Sequence, residues 1–343
     1  MRTPAPHPGR SVKIDIHAHF FPEISQEESQ VLGIDDAPWL RVDNDQIGMI
    51  MAGNNEYRPV QAPLWDPQAR LAEMDANGVD IQVVSATPIL FSYVGDPDRT
   101  ARWAAQVNDA ALEMCAAAPQ RLRPLCQVPL QDIDRACAEV TRAVAAGHVG
   151  VHIGNHVDGR NLDHPDLLAF LHHCADQGIP VLVHPWSMMA AERMPKYMLQ
   201  WLVGMPAETH LAILSLILSG AFERLPAYLK ICFAHGGGNF AQQLGRVENA
   251  WHRRDIVRQD CPRPPSEYIE RFSVDSAVFD DTTLRFLLDV MGESRVLMGS
   301  DYPFPLGEIH PGKMIEESPL FSDATRQAVL YDNAANFFGV GHD

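Results

Sequence analysis

The sequence predicts an α/β fold, a (β/α)8 TIM barrel with a small insertion after the first strand. Eight short segments rich in Val, Ile, Leu and Cys recur along the 343 residues, and each precedes a longer stretch with the apolar spacing of a helix. Strands that are apolar throughout are typical of a parallel sheet that is buried on both faces. Eight such units close into a barrel of this length, so we expect a single domain over residues 1–343.

The strands and helices can be placed in chain order. We predict strands over residues 13–19, 80–88, 122–130, 148–155, 180–186, 230–237, 271–278 and 295–303. The helices are expected to begin near Asp66, Pro97, Asp132, His164, Pro206, Gly238, Asp281 and Ser322. Acidic residues, serine and proline favour helix starts, and glycine favours helix ends, as at Gly78, Gly147, Gly178 and Gly292.

The connection after the first strand is unusually long. Residues 20–65 lack the period of a long helix. Connections of this length in compact domains are usually functional. Within this one, the segment GMIMAGNNEYRPV, residues 48–60, predicts a small hairpin around an Asn-Asn turn. We expect the insertion, residues 20–65, to cover the mouth of the barrel.

The amino-acid composition indicates which class of molecule the protein binds and in which compartment it is expected. The formal charge is −17 and no basic cluster interleaves with aromatic residues, which disfavours nucleic acid and anionic membrane surfaces and favours small molecules. The longest apolar run, residues 211–222, is shorter than the roughly 20 residues that span a bilayer, so we expect a buried helix. No apolar signal core follows the first ten residues, and the six cysteines form no C-x-x-C pair. These features predict a cytoplasmic protein with reduced thiols.

Four histidines and an aspartate stand at the C-terminal ends of the predicted strands, where barrels of this type carry their chemistry. They are His17 and His19 on the first strand, His184 on the fifth, His235 on the sixth and Asp301 on the eighth. A lone histidine is more often a hydrogen-bonded core or surface residue, but five such residues at one rim favour a metal site. Imidazole and carboxylate are ligands of zinc-type ions. His17, His19, His184 and Asp301 can be the ligands, which leaves His235 free to move protons.

The site is expected to hold a single metal ion. Barrels with two ions commonly bridge them with a carboxylated lysine or a glutamate from a middle strand. Lys13 and Lys230 begin their strands, at the opposite end of the barrel, and the fourth strand ends GVHIGNH, without an acidic residue. We therefore give His152 and His156 structural roles.

The chain resembles the amidohydrolase superfamily, and more narrowly the decarboxylase branch typified by the 2-amino-3-carboxymuconate-6-semialdehyde decarboxylase family. H-x-H and HGGG alone indicate only the superfamily, whereas RPV, GRVENAW and GSDYPFPLGE are the specific blocks. The resemblance implies one Zn²⁺ per subunit on the four ligands, with His235 as acid/base and Asp301 also in the catalytic centre. It implies that Arg58 binds a substrate carboxylate, that Phe304 contacts the substrate, and that Arg246 acts across a homodimer interface.

The implied reaction is non-oxidative decarboxylation of 2-amino-3-carboxymuconate-6-semialdehyde to 2-aminomuconate semialdehyde, through a metal-bound hydroxide with His235 as acid/base. Two departures from the family pattern bear on substrate selection: Ser187 stands where an acidic residue is expected, and Tyr57 where phenylalanine is expected. The alternatives are a related hydroxybenzoate-type decarboxylase and a hydrolase acting on an amide or lactone. A catalytically silent barrel would require a broken metal set, and none is visible. The pathway, degradation of tryptophan or of a nitroaromatic compound, stays open.

Overall fold

The computed structural model describes residues 11–341, so the first ten and the last two residues of the predicted domain over residues 1–343 lie outside the described residues. Its strands are β1 (Ile14–Phe20), β2 (Pro38–Val42), β3 (Ile47–Ala52), β4 (Asn55–Gln61), β5 (Ile81–Ala86), β6 (Leu122–Pro124), β7 (Val151–Gly154), β8 (His156–Val157), β9 (Arg160–Asn161), β10 (Val181–His184), β11 (Ile231–Phe233), β12 (Ser273–Asp275) and β13 (Val296–Leu297).

Eight of these strands form a closed parallel cylinder. β1, β5 and β6 pair in that order, and β7, β10, β11, β12 and β13 pair in a second run. A parallel bridge between Cys126 and Val151 joins the two runs on one side, and a bridge between Ala18 and Tyr302 joins them on the other. The backbone hydrogen bond from His19 N to Tyr302 O, 2.7 Å long, belongs to that closure. The predicted barrel is confirmed.

The helices alternate with the barrel strands. They are α1 (Gln26–Ser29), α2 (Pro67–Asn77), α3 (Pro97–Cys115), α4 (Ile133–Ala146), α5 (Pro165–Asp176), α6 (Met205–Leu218), α7 (Ala221–Arg224), α8 (Phe240–Arg253), α9 (Asp255–Arg258), α10 (Asp281–Met291), α11 (Lys313–Glu317), α12 (Asp323–Gln327) and α13 (Asn333–Phe338). Asp66, Asp96, Asp132 and Asp280 cap α2, α3, α4 and α10, because each carboxylate accepts a hydrogen bond from a first-turn backbone N–H.

β6, which corresponds to the third predicted strand, and β13, which corresponds to the eighth, are shorter than predicted. β6 ends at Pro124 and β13 at Leu297, whereas strands were expected to reach residues 130 and 303. Proline lacks the N–H that a ladder needs, and Asp301 has φ +61°, which turns the backbone out of the extended form. The residues that follow these strands form the rim of the barrel instead of its wall.

The insertion contains a three-stranded antiparallel sheet in the order β2, β3, β4. β3 and β4 form the predicted hairpin, which turns at Gly53 and Asn54. Gly53 has φ +57°, and a Cβ there would lie 2.1 Å from Asp35 O, so the turn requires glycine. The predicted insertion after the first strand is confirmed.

An apolar cluster fills the barrel below its rim. It comprises Ile14, Ile16, Ile81, Val83, Leu125, Leu182, Cys232 and Leu297 together with residues of α13. In β1 the pairing register shifts between Asp15 and Ala18, so that Ile16 and His17 face the single residue Val83. Bulges of this kind bend a strand and re-aim its side chains, and this one contains His17 and precedes His19.

The apolar run at residues 211–222 forms α6 and α7. Ala212, Ile213, Leu216, Ile217 and Phe222 are buried, whereas Leu211 is 39% exposed. Among the described residues, one helical segment, Gln200–Leu218, is long and apolar enough by composition to cross a membrane, with a mean hydropathy of 1.5. A core helix meets the same criteria, and 39% of this segment is buried in the fold.

Candidate metal centre and active-site cavity

Four side chains meet at the C-terminal ends of three strands, with Asp301 in the turn four residues after β13. His17 Nε2 and His19 Nε2 lie 3.1 Å apart. Asp301 Oδ1 lies 3.5 Å from His17 Nε2 and 3.2 Å from His19 Nε2. With His184, one ligand atom from each residue lies within 4.8 Å of all the others, and all four residues are buried. These distances suit a single ion in the middle.

The hydrogen bonds of the three histidines leave the same nitrogen free on each ring. His17 Nδ1 donates to Asp275 Oδ2 at 2.6 Å, and His184 Nδ1 donates to Pro185 O at 2.7 Å. The Ser85 hydroxyl donates to Ala18 O, so its oxygen can accept from His19 Nδ1 at 3.3 Å. Each Nε2 then carries a lone pair when the ring is neutral, and His184 Nε2 is buried without a hydrogen-bond partner. Three imidazole nitrogens and one carboxylate fit a divalent ion of the zinc type.

Burial and neighbouring charges set the protonation of the site. Burial lowers the pKa of His19 to about 4, and burial together with the surrounding imidazoles holds the pKa of His184 well below its usual value. Burial also lowers the pKa of His17, but the Asp275 and Asp301 carboxylates outweigh it and raise that pKa to about 9. Burial raises the pKa of Asp301, yet the close contacts with the His19 and His235 rings and the charge of His17 hold that pKa well below the usual range. Asp301 is therefore an anionic ligand.

His235 lies beside the four ligands without belonging to their cluster. Its Nε2 is 3.7 Å from Asp301 Oδ2, and its ring centroid is 4.8 Å from that of His184. Neither ring nitrogen has a hydrogen-bond partner, and the side chain lines the cavity above the metal site. The residue has φ +55°, and the next residue, Gly236, has φ +60°. This turn presents the imidazole to the cavity, where it can transfer a proton.

A cavity of about 1010 Å³ opens onto the metal site. Its lining includes the ligands His19, His184 and Asp301 as well as Arg58, Phe304 and Trp201. The Arg58 guanidinium carbon lies 5.0 Å from the Phe304 ring centroid and 5.3 Å from that of Trp201. The Phe304 ring is 5.4 Å from that of His19. A small anion held by Arg58 would therefore lie within reach of the metal ligands.

A bulge in the inserted sheet aims Arg58. On β3, Ile50 pairs with Arg58 and Met51 pairs with Glu56, so Tyr57 is the extra residue. Consecutive strand residues normally point to opposite faces, yet both Tyr57 and Arg58 line the cavity. The bulge accounts for this, since it breaks the alternation at that point. Three aromatic rings then surround the guanidinium, with Tyr57 at 5.6 Å.

The other residues singled out from the sequence lie in the cavity lining, on the surface or in the core. Ser187, at the position where an acidic residue was expected, lines the cavity. Arg246 lies exposed on α8 and does not line the cavity, so its predicted role stays a prediction. His156 donates from Nε2 to Ser187 O at 3.0 Å. His152 is fully buried, with its ring 5.5 Å from that of His184.

Two contributors to the site were given no functional role from the sequence. Asp275, at the end of β12, is fully buried against His17, and Trp201 stacks on Arg58. The position of Asp275 in the C-terminal half of the predicted seventh strand, residues 271–278, was the available signal, because it is close to the end where the other five residues were located. Trp201 follows a loop whose path the sequence does not specify.

Comparison with known proteins agrees with this geometry. The sequence profile of the family described as Amidohydrolase matches residues 14–340. The chain belongs to the amidohydrolase family. It is 40% identical over 335 residues to the 2-amino-3-carboxymuconate-6-semialdehyde decarboxylase of Dictyostelium discoideum, covering 96% of this chain and 92% of that protein. The enzyme of the same name from Caenorhabditis elegans is 32% identical over 384 residues, covering 96% and 95%.

Solved structures share the fold. The 5-carboxyvanillate decarboxylase LigW of Sphingomonas paucimobilis matches with a TM-score of 0.81 at 24% identity, covering 97% of this chain and 100% of that chain. A dihydroxybenzoic acid decarboxylase of Polaromonas, solved with bound manganese and 2-nitroresorcinol, matches with a TM-score of 0.77 at 23% identity, covering 97% and 98%. The curated relatives and the metal site together confirm the predicted enzyme class, a metal-dependent decarboxylase of the amidohydrolase family.

Proposed function

We propose that the protein converts 2-amino-3-carboxymuconate-6-semialdehyde to 2-aminomuconate semialdehyde and CO₂ without oxidation. The single observation that carries the proposal is an arginine, Arg58, whose charge faces the same cavity as the metal ligands and has no carboxylate partner among residues 11–341. A guanidinium group binds a carboxylate through two parallel hydrogen bonds. Two relatives with this activity in their names, 40% and 32% identical over 96% of the chain, support the choice of substrate.

We assign one Zn²⁺ per subunit to His17, His19, His184 and Asp301. When bound, such an ion supplies Lewis acidity and lowers the pKa of water in the cavity. Manganese in the Polaromonas structure makes Mn²⁺ the first alternative to test. The residues themselves contribute the fixed orientation of three Nε2 lone pairs and the negative charge of Asp301.

The roles of the remaining residues follow from their places. Arg58 and Phe304 orient the substrate, and stacking among aromatic rings keeps the guanidinium fixed. When the bond to CO₂ breaks, its electron pair stays on the substrate carbon, which must gain a proton. His235 moves that proton, because its unpartnered imidazole lines the cavity beside Asp301. We also propose that Arg246, exposed on α8, supplies a second carboxylate contact to the neighbouring subunit of a homodimer.

The test is an assay with purified protein loaded with Zn²⁺ or, separately, Mn²⁺. We expect the ultraviolet absorbance of the semialdehyde to fall while an equal amount of CO₂ is released. Loss of absorbance without CO₂ would reject decarboxylation and favour a hydrolase. The hydroxybenzoate alternative is tested with 2,6-dihydroxybenzoate, the ligand named in a related solved structure. Turnover of that acid but not of the semialdehyde would reject the proposed substrate.

A further inference from the structure

One buried carboxylate links the metal site to the loop that carries His235. Asp275 ends β12 and is fully buried. Its Oδ2 accepts a hydrogen bond from His17 Nδ1 at 2.6 Å. Its Oδ1 accepts from the backbone N–H of Gly236 at 2.8 Å and from that of Ala277 at 3.0 Å. The two oxygens therefore contact two different parts of the site.

We propose that Asp275 is a positioning residue that holds His17 in its metal-binding form and ties it to the turn that presents His235. The first half of the proposal concerns the metal site alone. The second half rests on the proposed function, since it concerns the residue that moves the proton. Asp275 itself is not among the residues that line the cavity.

The first half follows from the chemistry of imidazole. A histidine binds a metal ion only through a nitrogen that carries a lone pair. The carboxylate can only accept, so the proton of the neutral His17 ring lies on Nδ1 and its lone pair on Nε2, toward His19 and Asp301. Carboxylates placed in this way fix the ring orientation of a ligand, and their loss typically weakens metal binding about 10- to 100-fold.

The second half follows from the backbone at the turn. His235 and Gly236 both have positive φ, +55° and +60°, and this conformation is unfavourable for a histidine. The bond from Gly236 N to Asp275 Oδ1 holds the turn in place. A Cβ on Gly236 would lie 2.5 Å from Val278 Cγ1, so the turn also packs tightly on the segment after Asp275.

A neighbouring glycine shows that the pair depends on close packing. Gly299 lies between the two side chains, where a Cβ would be 2.8 Å from His17 Cβ and 2.9 Å from Asp275 Cβ. An alanine there would push the pair apart without altering its chemistry. Gly299→Ala is therefore a second variant that tests the same contact by a different route.

The decisive experiment measures zinc affinity of the full chain without substrate. In Asp275→Asn an amide must place its N–H₂ against either His17 Nδ1–H or the two backbone N–H groups, so one set of contacts becomes repulsive. We expect the Kd for Zn²⁺, measured by competition with a chromogenic chelator, to rise about 10- to 100-fold. Glu139→Gln is the matched control, because Glu139 is a buried carboxylate that pairs with Arg142 on α4 and lies outside the metal cluster. This variant should leave the Kd for Zn²⁺ within about twofold of the parent protein.

Metal-free circular dichroism establishes that each variant is folded, and Gly299→Ala replaces Asp275→Asn if the latter is not. A Kd within about twofold of the parent protein in a folded variant would overturn the His17 half. At saturating Zn²⁺ we expect kcat still to be about 10- to 100-fold low with KM little changed, because His235 is misplaced. Full recovery of kcat would overturn the His235 half. Zinc affinity needs no turnover, so failure of the proposed reaction would leave the metal result intact.

Discussion

Arg58→Met tests the claim that an arginine in an aromatic cage binds the substrate carboxylate. Methionine fills the space among the rings of Tyr57, Trp201 and Phe304 but carries no charge. A hydrogen bond to a charged group contributes about 1.5–3 kcal/mol. Since about 1.4 kcal/mol corresponds to a tenfold change, kcat/KM should fall about 10- to 150-fold. Zinc content should not change, because Arg58 lies outside the ligand cluster.

The assay follows CO₂ release from the semialdehyde over a range of concentrations. Arg58→Lys keeps the charge but not the planar fork, so its kcat/KM should fall between those of the parent protein and the methionine variant. Arg41→Met is the control on the same inserted sheet, because Arg41 pairs with the exposed Asp43 and Glu56 instead of facing the cavity. A kcat/KM for Arg58→Met within about twofold of the control would refute the assigned role.

Four further outcomes are expected. His235→Ala should keep near-normal zinc content and lose turnover; loss of zinc would instead make the residue a ligand. Removal of zinc by a chelator should stop the reaction reversibly, and full activity in verified metal-free protein would exclude a metal mechanism. An Arg246→Ala variant should be inactive alone and regain some activity when mixed with an Arg58 variant; no recovery despite proven subunit exchange would exclude a shared site. Because Asp275 raises the pKa of His17 to about 9, the metal-free protein should lose stability as the pH rises from about 6.5 to 9. A melting temperature that stays flat over this range in the metal-free protein, or that falls equally in a metal-free variant without His17, would contradict that linkage.

The sequence was sufficient to place the four metal ligands. Strand ends in a parallel barrel converge on one rim, so His17, His184 and Asp301 could be brought together without knowledge of any loop. Helix starts were equally accessible, because aspartate at positions such as Asp66 and Asp132 caps the first turn. Helix capping by aspartate and the convergence of parallel strand ends therefore account for most of the fold that was predicted.

The side-chain directions that the sequence did not predict depend on irregular backbone. The bulge in β1 that sets the aim of His17, and the bulge at Tyr57 that turns Arg58 into the cavity, change which face a side chain points to. Alternation along an ideal strand cannot predict either. The Asp275 contact to His17 depends in addition on the missing side chain at Gly299, which is a matter of packing between distant strands.

The central claim is that side chains from three strands hold one catalytic cation at the mouth of the barrel. Diffraction from crystals of the zinc-loaded protein, measured above and below the zinc absorption edge, locates that ion directly. We predict one anomalous peak per chain, bonded to His17, His19, His184 and Asp301. The absence of a peak among these four residues, in protein that binds zinc one to one in solution, would contradict the claim.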